Sequence, residues 1–341
     1  MPFDMKFLFE ISKEHNTIPS SEVFSTIESE GFKYEKIETN PDLIIVDFFE
    51  NKRKIYEISK RLAYTYYVDE FLFSTQINID EVKKKSEKNQ IDEKGSIAVR
   101  YKNRSKKISS NKIVKILAET YSKNRKVSLE NPDIEIRCII TDSKVYVGKK
   151  IIKNDRSNYE RRKVQNRPFF SPISLHPKIA RALVNISKIK KNQILYDPFC
   201  GTGGILLEAG LIGAKIIGSD IEEKMVEGCK KTLMHYNIKD CTIFCSDIGN
   251  IKDHINKVDA VVTDMPYGKS TTTKGEDILE LYARAFRNIA DILKPDGVAV
   301  IGVSNKKAID LGKRYLDLVD LHEIRAHRSL TRYFPVYQKL P

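Results

Sequence analysis

Three short stretches in the second half of the 341-residue chain carry residue types that could hold a nucleoside-bearing cofactor. Asp197-Pro198-Phe199-Cys200-Gly201-Thr202-Gly203-Gly204 follows an apolar run. Glycines there let the backbone turn sharply and pass close to a ligand that a side chain would exclude. Such a turn suits NAD, FAD or S-adenosylmethionine. Asp220 ends the next apolar run, 19 residues after Gly201, where an acid can hold ribose hydroxyls. Ile221 follows it and is expected among the cofactor contacts. In Ser246-Asp247-Ile248 a carboxylate could meet an adenine amino group and an apolar side chain its ring face. Gly268-Lys269-Ser270 imitates the end of a phosphate-binding loop, but Thr263 stands where the upstream glycine is required, which rejects ATP hydrolysis.

A fourth stretch, Asp264-Met265-Pro266-Tyr267-Gly268, is similar to the Asp/Asn-Pro-Pro-Tyr/Phe motif of amino-methyltransferases, which methylate exocyclic base nitrogens. The chemistry explains the residue types. An exocyclic amine delocalises its lone pair into the ring and is a poor nucleophile. A carboxylate and backbone carbonyls that accept its N–H bonds restore electron density to it. Tyr267 can stack on the extruded base and hold the nitrogen in line with a methyl donor. Asp264, Pro266 and Tyr267 are therefore the expected catalytic residues, with Asp264 also touching the cofactor. Met265 stands where the motif has Pro, which keeps the backbone acceptor but makes the turn less rigid.

These residues must sit at strand ends, and the pattern from Ser171 onward supplies strands to carry them. It reads as a helix (177–188), a strand (193–197), the glycine turn, a helix (204–213), a strand (215–220), a helix (222–237) and a strand (241–246). A strand (260–263), a helix (277–293), a strand (297–303) and a charged C-terminal section follow. Repeated βα units with apolar strands predict a doubly wound parallel sheet, whose ligands bind beyond the carboxyl ends of the strands. The first hundred residues alternate strands (6–11, 32–38, 42–49, 64–73) with helices (20–31, 52–62), an α+β pattern. Residues 80–94 fit either a solvated helix or a loop. A strand (97–101), an amphipathic helix (110–122) and a hairpin (135–140 with 144–147) come next, and the polar 151–167 stretch reads as a linker closed by Arg167-Pro168.

Composition sets the class. The length predicts two or three domains at about 150 residues each. Hydrophobic residues at 41% and charged ones at 31%, with 16 Gly and 12 Pro, supply packed cores. The longest apolar stretch, Ile205 to Gly218, is broken by Glu208 and Lys215, so neither a membrane span nor a secretory signal is expected. The five cysteines are odd in number and scattered, which points to a reducing cytoplasm, and their spacing gives no metal site.

The net charge of +13 is unevenly placed: residues 1–100 balance at −4, residues 101–170 at +12 and residues 171–341 at +5. Such a localised excess predicts a polyanion whose phosphates it neutralises. The expected phosphate contacts are Arg100, Lys102, Arg104, Lys106, Lys107, Lys112, Arg125, Lys126, Arg161, Arg162 and Lys163.

Taken together, these features resemble the THUMP-domain tRNA guanine-N2 methyltransferases, in particular the archaeal enzymes acting on guanosine 10 of tRNA. Arg167-Pro168-Phe169-Phe170-Ser171-Pro172 with His176-Pro177 is similar to the segment that precedes the glycine turn in this family. By that likeness His176 and Pro177 help enclose the methionine end of the cofactor. The segment Arg325 to Arg332 also looks familial, with an RNA-facing role. Val99-Arg100, Asn131-Pro132-Asp133 and Val145-Tyr146-Val147-Gly148 are similar to a THUMP domain, which in the family grips the tRNA acceptor end, and by that likeness the expected phosphate contacts are RNA contacts.

The resemblance implies a Rossmann-like class I methyltransferase sheet at 171–341. It also implies a ferredoxin-like domain at 1–62, a THUMP domain at 63–150 and a basic linker at 151–170. Phe199, Gly201, Thr202, Gly203 and Gly204 with Asp197, Asp220, Asp247 and Ile248 would hold S-adenosylmethionine, and tRNA would receive one or two methyl groups. Rival readings are N2-guanine methylation elsewhere in tRNA or in rRNA, DNA adenine-N6 methylation, and a catalytically silent RNA-binding subunit. A monomer is expected, with an activating partner subunit as the alternative.

Overall fold

The computed structural model describes residues 5–48, 52–171, 174–267, 276–327 and 330–339. Gly268-Lys269-Ser270, Pro172 and two residues of the late basic segment, Arg328 and Ser329, lie outside them. The chain divides into two compact units: residues 1–16, 32–60 and 65–155, and residues 17–31, 61–64 and 156–341.

The first unit is built on one sheet of seven strands in the order β2-β3-β1-β4-β7-β6-β5. They are β1 (Met5–Ile11), β2 (Tyr34–Thr39), β3 (Leu43–Phe48), β4 (Thr65–Gln76), β5 (Ile97–Asn103), β6 (Ile134–Ile140) and β7 (Lys144–Lys153). All neighbours run antiparallel except β5 and β6. A single sheet thus runs through the stretches expected as two domains, because β4 pairs with β1 on one side and β7 on the other. The unit also carries α2 (Lys52–Arg61), whose last residue falls in the second unit, α3 (Ile79–Lys88) and α4 (Asn111–Ser122). The undecided 80–94 stretch is therefore helical to Lys88, started by Asn78, whose side chain accepts the Glu81 N–H at 3.0 Å. Ile113, Leu117 and Tyr121 turn one face of α4 onto Ile97, Ile136 and Val147.

The second unit holds the doubly wound sheet, in the order β10-β9-β8-β11-β12-β14-β13. Strands β8 (Ile194–Asp197), β9 (Lys215–Asp220), β10 (Cys241–Cys245), β11 (Val258–Asp264) and β12 (Leu293–Gly302) are parallel, and β14 (Leu330–Gln338) and β13 (Asp317–His327) add an antiparallel hairpin. Helices α6 (Pro177–Ile186), α7 (Gly204–Leu211), α8 (Glu223–His235), α9 (Ile278–Ile292) and α10 (Lys306–Gly312) complete the βα units, with a short α5 (Ser157–Arg161) ahead of them. Two cores result: one gathers Leu183, Leu195, Leu206, Ile216 and Leu233, the other Val261, Tyr282, Phe286, Ile289 and Ile301.

Two expected boundaries differ from the structure. Helix α1 (Ile18–Ser29) and residues 61–64 belong to the second unit, not to an N-terminal domain ending at 62. Glu22 of α1 is fully buried and accepts the N–H groups of Ala63 and Tyr64 at 2.8 and 2.9 Å and the Asn185 amide at 2.8 Å. A buried carboxylate needs such partners, so these bonds tie α1 to α6. The 151–170 stretch is not a free linker either. β7 continues to Lys153, and from Arg156 the chain packs with the second unit, where Arg162 donates twice to buried Glu208, at 2.8 and 3.1 Å.

Candidate active site

The strand order reverses between β8 and β11, and there a cavity of about 400 Å³ opens beyond the carboxyl ends of the strands. The glycine turn forms one wall. Gly201 and Gly203 have φ of +49° and +78°, a region that side chains disfavour. A Cβ at Gly201 would meet no protein atom within 4 Å, whereas one at Gly203 would meet Cys229 Sγ at 2.7 Å. Gly201 therefore leaves open space beside the backbone, and Gly203 lets α7 sit close to α8. Thr202 lines the cavity and its hydroxyl lies 2.9 Å from that of Ser174.

Asp220, at the end of β9, accepts the Gly201 N–H at 2.9 Å and the Glu222 N–H at 3.0 Å, so it fixes the turn as well as facing the cavity. Burial holds its carboxyl above the usual range despite these bonds. Ile221 and Ile248 also line the cavity and are apolar enough to enclose a flat ring. Asp247 lines it too, with its carboxylate held by Arg284 at 2.5 Å and by the Gly249 N–H at 2.7 Å. Asp197 is buried, takes the Thr263 hydroxyl at 2.6 Å and the Phe199 N–H at 3.2 Å, and burial pushes its carboxyl up to about 7.

Asp264 ends β11 beside this cavity, with Met265, Pro266 and Tyr267 after it. Burial pushes its carboxyl up to about 7 against the opposing pull of Arg332. Its Oδ2 lies 3.3 Å from Arg332 Nη1, and its Oδ1 is buried with no hydrogen-bond partner. Gly302 is required alongside, because a Cβ there would meet Oδ1 at 2.3 Å. Met265 explains its own presence: its N–H donates to the Gly302 carbonyl at 3.0 Å, which Pro could not do, and its side chain is buried among Tyr282 and Phe286. The turn is thus held by a strand-end hydrogen bond where a ring would otherwise stiffen it. Tyr282 donates its hydroxyl to the Pro266 carbonyl at 2.6 Å and fixes the next residue of the motif.

Most of the expected cofactor contacts come together here: Asp197, Phe199, Gly201, Thr202, Gly204, Asp220, Ile221, Asp247, Ile248 and Asp264 all line one cavity. His176, Pro177 and Gly203 are not among the lining residues. Instead His176 starts α6, accepting the Lys178 N–H at 3.2 Å, while Pro177 is buried at the first helical turn and Ser171, Ser174 and Leu175 face the cavity. Residues that sequence reasoning missed include Met225, Glu276 and Leu281, which carry no motif; Arg332, expected in an RNA-facing segment, lies against Asp264.

The expected RNA contacts divide in two. Arg100, Lys102, Lys106, Lys107, Lys112, Lys126 and Arg161 are exposed, although Arg100 also makes a bond to the backbone. Arg104 is instead paired with Glu10 at 2.7 Å, and Arg162 with Glu208. Lys163 pairs with Glu160, while Arg100 donates to the Leu129 carbonyl and Arg125 to those of Ile91 and Glu93. Arg104 and Arg162 thus serve internal carboxylates, a correction to their reading as phosphate contacts.

The cavity fits S-adenosylmethionine on its own terms. It offers a glycine cradle, a carboxylate at the second strand end and a pair of isoleucines for a ring. A family model described as RMKL-like, methyltransferase domain matches residues 164–333, and one described as DNA methylase matches residues 43–231, stopping short of Asp264. The tRNA (guanine(10)-N2)-dimethyltransferase of Methanothermobacter thermautotrophicus is 31% identical, covering 98% of this chain and 100% of that protein. The enzyme of the same name from Methanocaldococcus jannaschii is 37% identical over 64% of this chain and 61% of its own. The crystal structure of TrmN from Thermus thermophilus shares the fold, with a TM-score of 0.56 at 15% identity, covering 98% of this chain and 100% of that one.

Fold and site together define a methyltransferase with a doubly wound sheet. Within that class, the nearly end-to-end match to the Methanothermobacter protein shows that the chain belongs to the tRNA (guanine(10)-N2)-dimethyltransferase family.

Proposed function

We propose that this protein methylates the exocyclic N2 of guanosine 10 in tRNA, using S-adenosylmethionine, and does so twice. The observation that carries the reading is Asp264-Met265-Pro266-Tyr267 at the end of β11, opening on the same cavity as the glycine turn and Asp220. The printed names of the relatives, dimethyltransferases among them, support guanosine 10 and the second methyl.

When bound, S-adenosylmethionine supplies a methyl group on a sulfonium, an electrophile. Asp220 would hold its ribose, Ile221 and Ile248 would enclose its adenine, and the glycine turn at the start of α7 would admit its methionine end. Tyr267 stacks on the guanine taken out of the RNA stack. Asp264 accepts an N–H of the target amine, returns electron density to N2, and takes up the proton that N2 releases on gaining a carbon. A carboxyl pushed up to about 7 is matched to that task, because it accepts a proton readily and yields it again near neutral pH. Met265 and Tyr282 keep the motif's backbone fixed while this happens.

The first unit is read as the RNA-gripping part, including the THUMP domain, on the strength of its exposed lysines and its sequence likeness. The protein is read as a monomer working in the cytoplasm. Among the described residues no helix is long and apolar enough to cross a membrane.

The test is to incubate the protein with labelled S-adenosylmethionine and unmodified tRNA transcript, then digest and map the modified nucleoside by mass spectrometry. N2,N2-dimethylguanosine at position 10, lost in Asp264→Ala, is the expected result. Methyl transfer to another nucleotide would reassign the target. Salt-sensitive tRNA binding without methyl transfer would leave an RNA-binding subunit.

A further inference from the structure

We propose that Arg332, carried by β14, is a positioning residue of the methyl-transfer site: one guanidinium fixes both the carboxylate that receives the target amine and the ring on which the base stacks. The inference rests on the roles given above to Asp264 and Tyr267.

The geometry is specific. Arg332 Nη1 lies 3.3 Å from Asp264 Oδ2, and its Cζ lies over the Tyr267 ring, 5.0 Å from the centroid. Both are short-range contacts of a planar cation, one to a carboxylate and one to an aromatic face. The pair is well shielded, with side chains only 16% and 15% exposed, so water weakens the attraction little. Arg332 is not among the residues that line the cavity, although Asp264 and Tyr267 both are. It therefore reaches them from the β14 side and acts through them.

The other groups around Asp264 make this cation necessary. Asp197 on β8 is close enough that the Asp264 charge disfavours its ionisation, and Tyr282 on α9 also feels that charge. Gly302 and Phe334 bring no charge, and Asp264 Oδ1 has no donor. Arg332 is the one cation paired with Asp264 among the described residues. Without it, burial would keep the carboxyl protonated, and a protonated carboxyl cannot accept from an amine with its full strength.

The second contact adds a geometric consequence. A guanidinium over one face of Tyr267 leaves the opposite face for the base, so stacking on this ring has one side only. Tyr267 Oη is buried without a partner, so nothing else among the described residues ties the ring down through its hydroxyl. The hairpin β13/β14, which sequence reading left as a charged C-terminal section facing RNA, thereby becomes part of the catalytic wall.

The experiment compares wild type with Arg332→Met and Arg332→Lys in steady-state methylation of unmodified tRNA from pH 6 to 9.5, with S-adenosylhomocysteine affinity as the check on folding. In Arg332→Met, kcat at pH 7 should fall at least about tenfold, and the acid limb of the kcat profile should move up by about 1–3 pH units. KM for tRNA and S-adenosylhomocysteine affinity should stay within about twofold. Arg332→Lys keeps the charge and loses the planar contact, so its acid limb should stay near that of wild type while kcat remains depressed.

A profile in Arg332→Met that overlays wild type, a defect confined to the KM for tRNA, or a rise in kcat/KM would each overturn the proposal. The last would mean that the guanidinium occupies the place of the base. If Arg332→Met no longer binds S-adenosylhomocysteine, Arg332→Gln is read by the same criteria, and an unchanged kcat in Arg332→Lys overturns the bracing role by itself. A wild-type protein inactive on tRNA would defeat the functional reading instead. The inference is then decided without substrate, from the pH dependence of thermal unfolding. Arg332→Met should shift the Asp264 titration upward relative to wild type, and no such shift should remain in the Asp264→Asn background; equal curves in the wild-type background would sink it.

Discussion

Thr263 donates its hydroxyl to Asp197 Oδ1 at 2.6 Å, joining neighbouring strands β11 and β8 at the point where the sheet's strand order reverses. Both side chains are buried, so the bond sits in a low-dielectric setting and holds the glycine turn against the strand that carries Asp264. Thr263→Val keeps the shape and removes the donor. Chemical denaturation should show a loss of about 1–3 kcal/mol, the cost of leaving a buried acceptor short of a partner. The loss should shrink in an Asp197→Asn background, whose amide can rotate to satisfy itself differently.

Activity and stability should respond to pH in opposite directions through Asp264. Its carboxyl titrates near 7 in the folded protein, against about 3.9 in an unfolded chain. Between those values the folded state binds the extra proton, so the contribution to stability is full below about pH 4 and is lost as pH rises through 7. The ionised form is the one that accepts from the amine, so kcat should climb across the same upper range. Asp264→Asn should abolish that climb, lower kcat by at least about 10²-fold, and unfold at a higher temperature than wild type at pH 8.

Gly203 combines φ of +78° with a Cβ position only 2.7 Å from Cys229 Sγ. Gly203→Ala should therefore destabilise the second unit by at least about 1–2 kcal/mol from the backbone alone. It should also weaken S-adenosylhomocysteine binding, because the shift is taken up in the turn next to Gly201. Calorimetric titration and a denaturation midpoint measure the two effects separately.

Glu208 accepts from Arg162 at 2.8 Å and from Arg181 at 2.8 Å while itself fully buried. Glu208→Ala strands two largely buried guanidinium groups, and a loss of about 3–5 kcal/mol follows from breaking such a network on one side. An unchanged denaturation midpoint would show that Arg162 can swing out to solvent, and would restore it as a candidate RNA contact.

Lys106 and Lys107 are exposed and adjacent in the basic segment. Replacing both with Ala should weaken tRNA binding at low salt and reduce the slope of log affinity against log salt by roughly 0.7–0.9 per lysine removed. Methyl transfer at saturating tRNA should be unaffected. A slope identical to wild type would remove this pair from the RNA contacts.

Sequence alone determined the parts of this protein whose signals are local. Apolar runs broken by glycine and acid mark β8, β9, β10 and β11, and the residues that end them must fall at one edge because parallel strands share their direction. Gly201, Asp220, Asp247 and Asp264 were legible for that reason, as was the hairpin around Thr141, Asp142 and Ser143. Tertiary structure decided what depends on approach between distant segments. Helix α1 reads in sequence as part of an N-terminal α+β pattern, and long-range contacts assign it to the second unit, among them the bonds of Glu22 to Ala63, Tyr64 and Asn185 and of Ser21 to Asp320. A basic residue has the same appearance in sequence whether it faces solvent or a buried carboxylate, so Arg104 and Arg162 could not be told from the exposed Lys106 and Lys107. His176 was carried by likeness to a cofactor wall, and its ring caps a helix instead. Arg332 depends on strand pairing alone: β14 runs antiparallel to β12, which itself pairs with β11, and that register brings a C-terminal arginine to Asp264. Local pattern encodes which elements form, whereas pairing across the sheet sets which charges meet, and that pairing is a property of the whole packed chain.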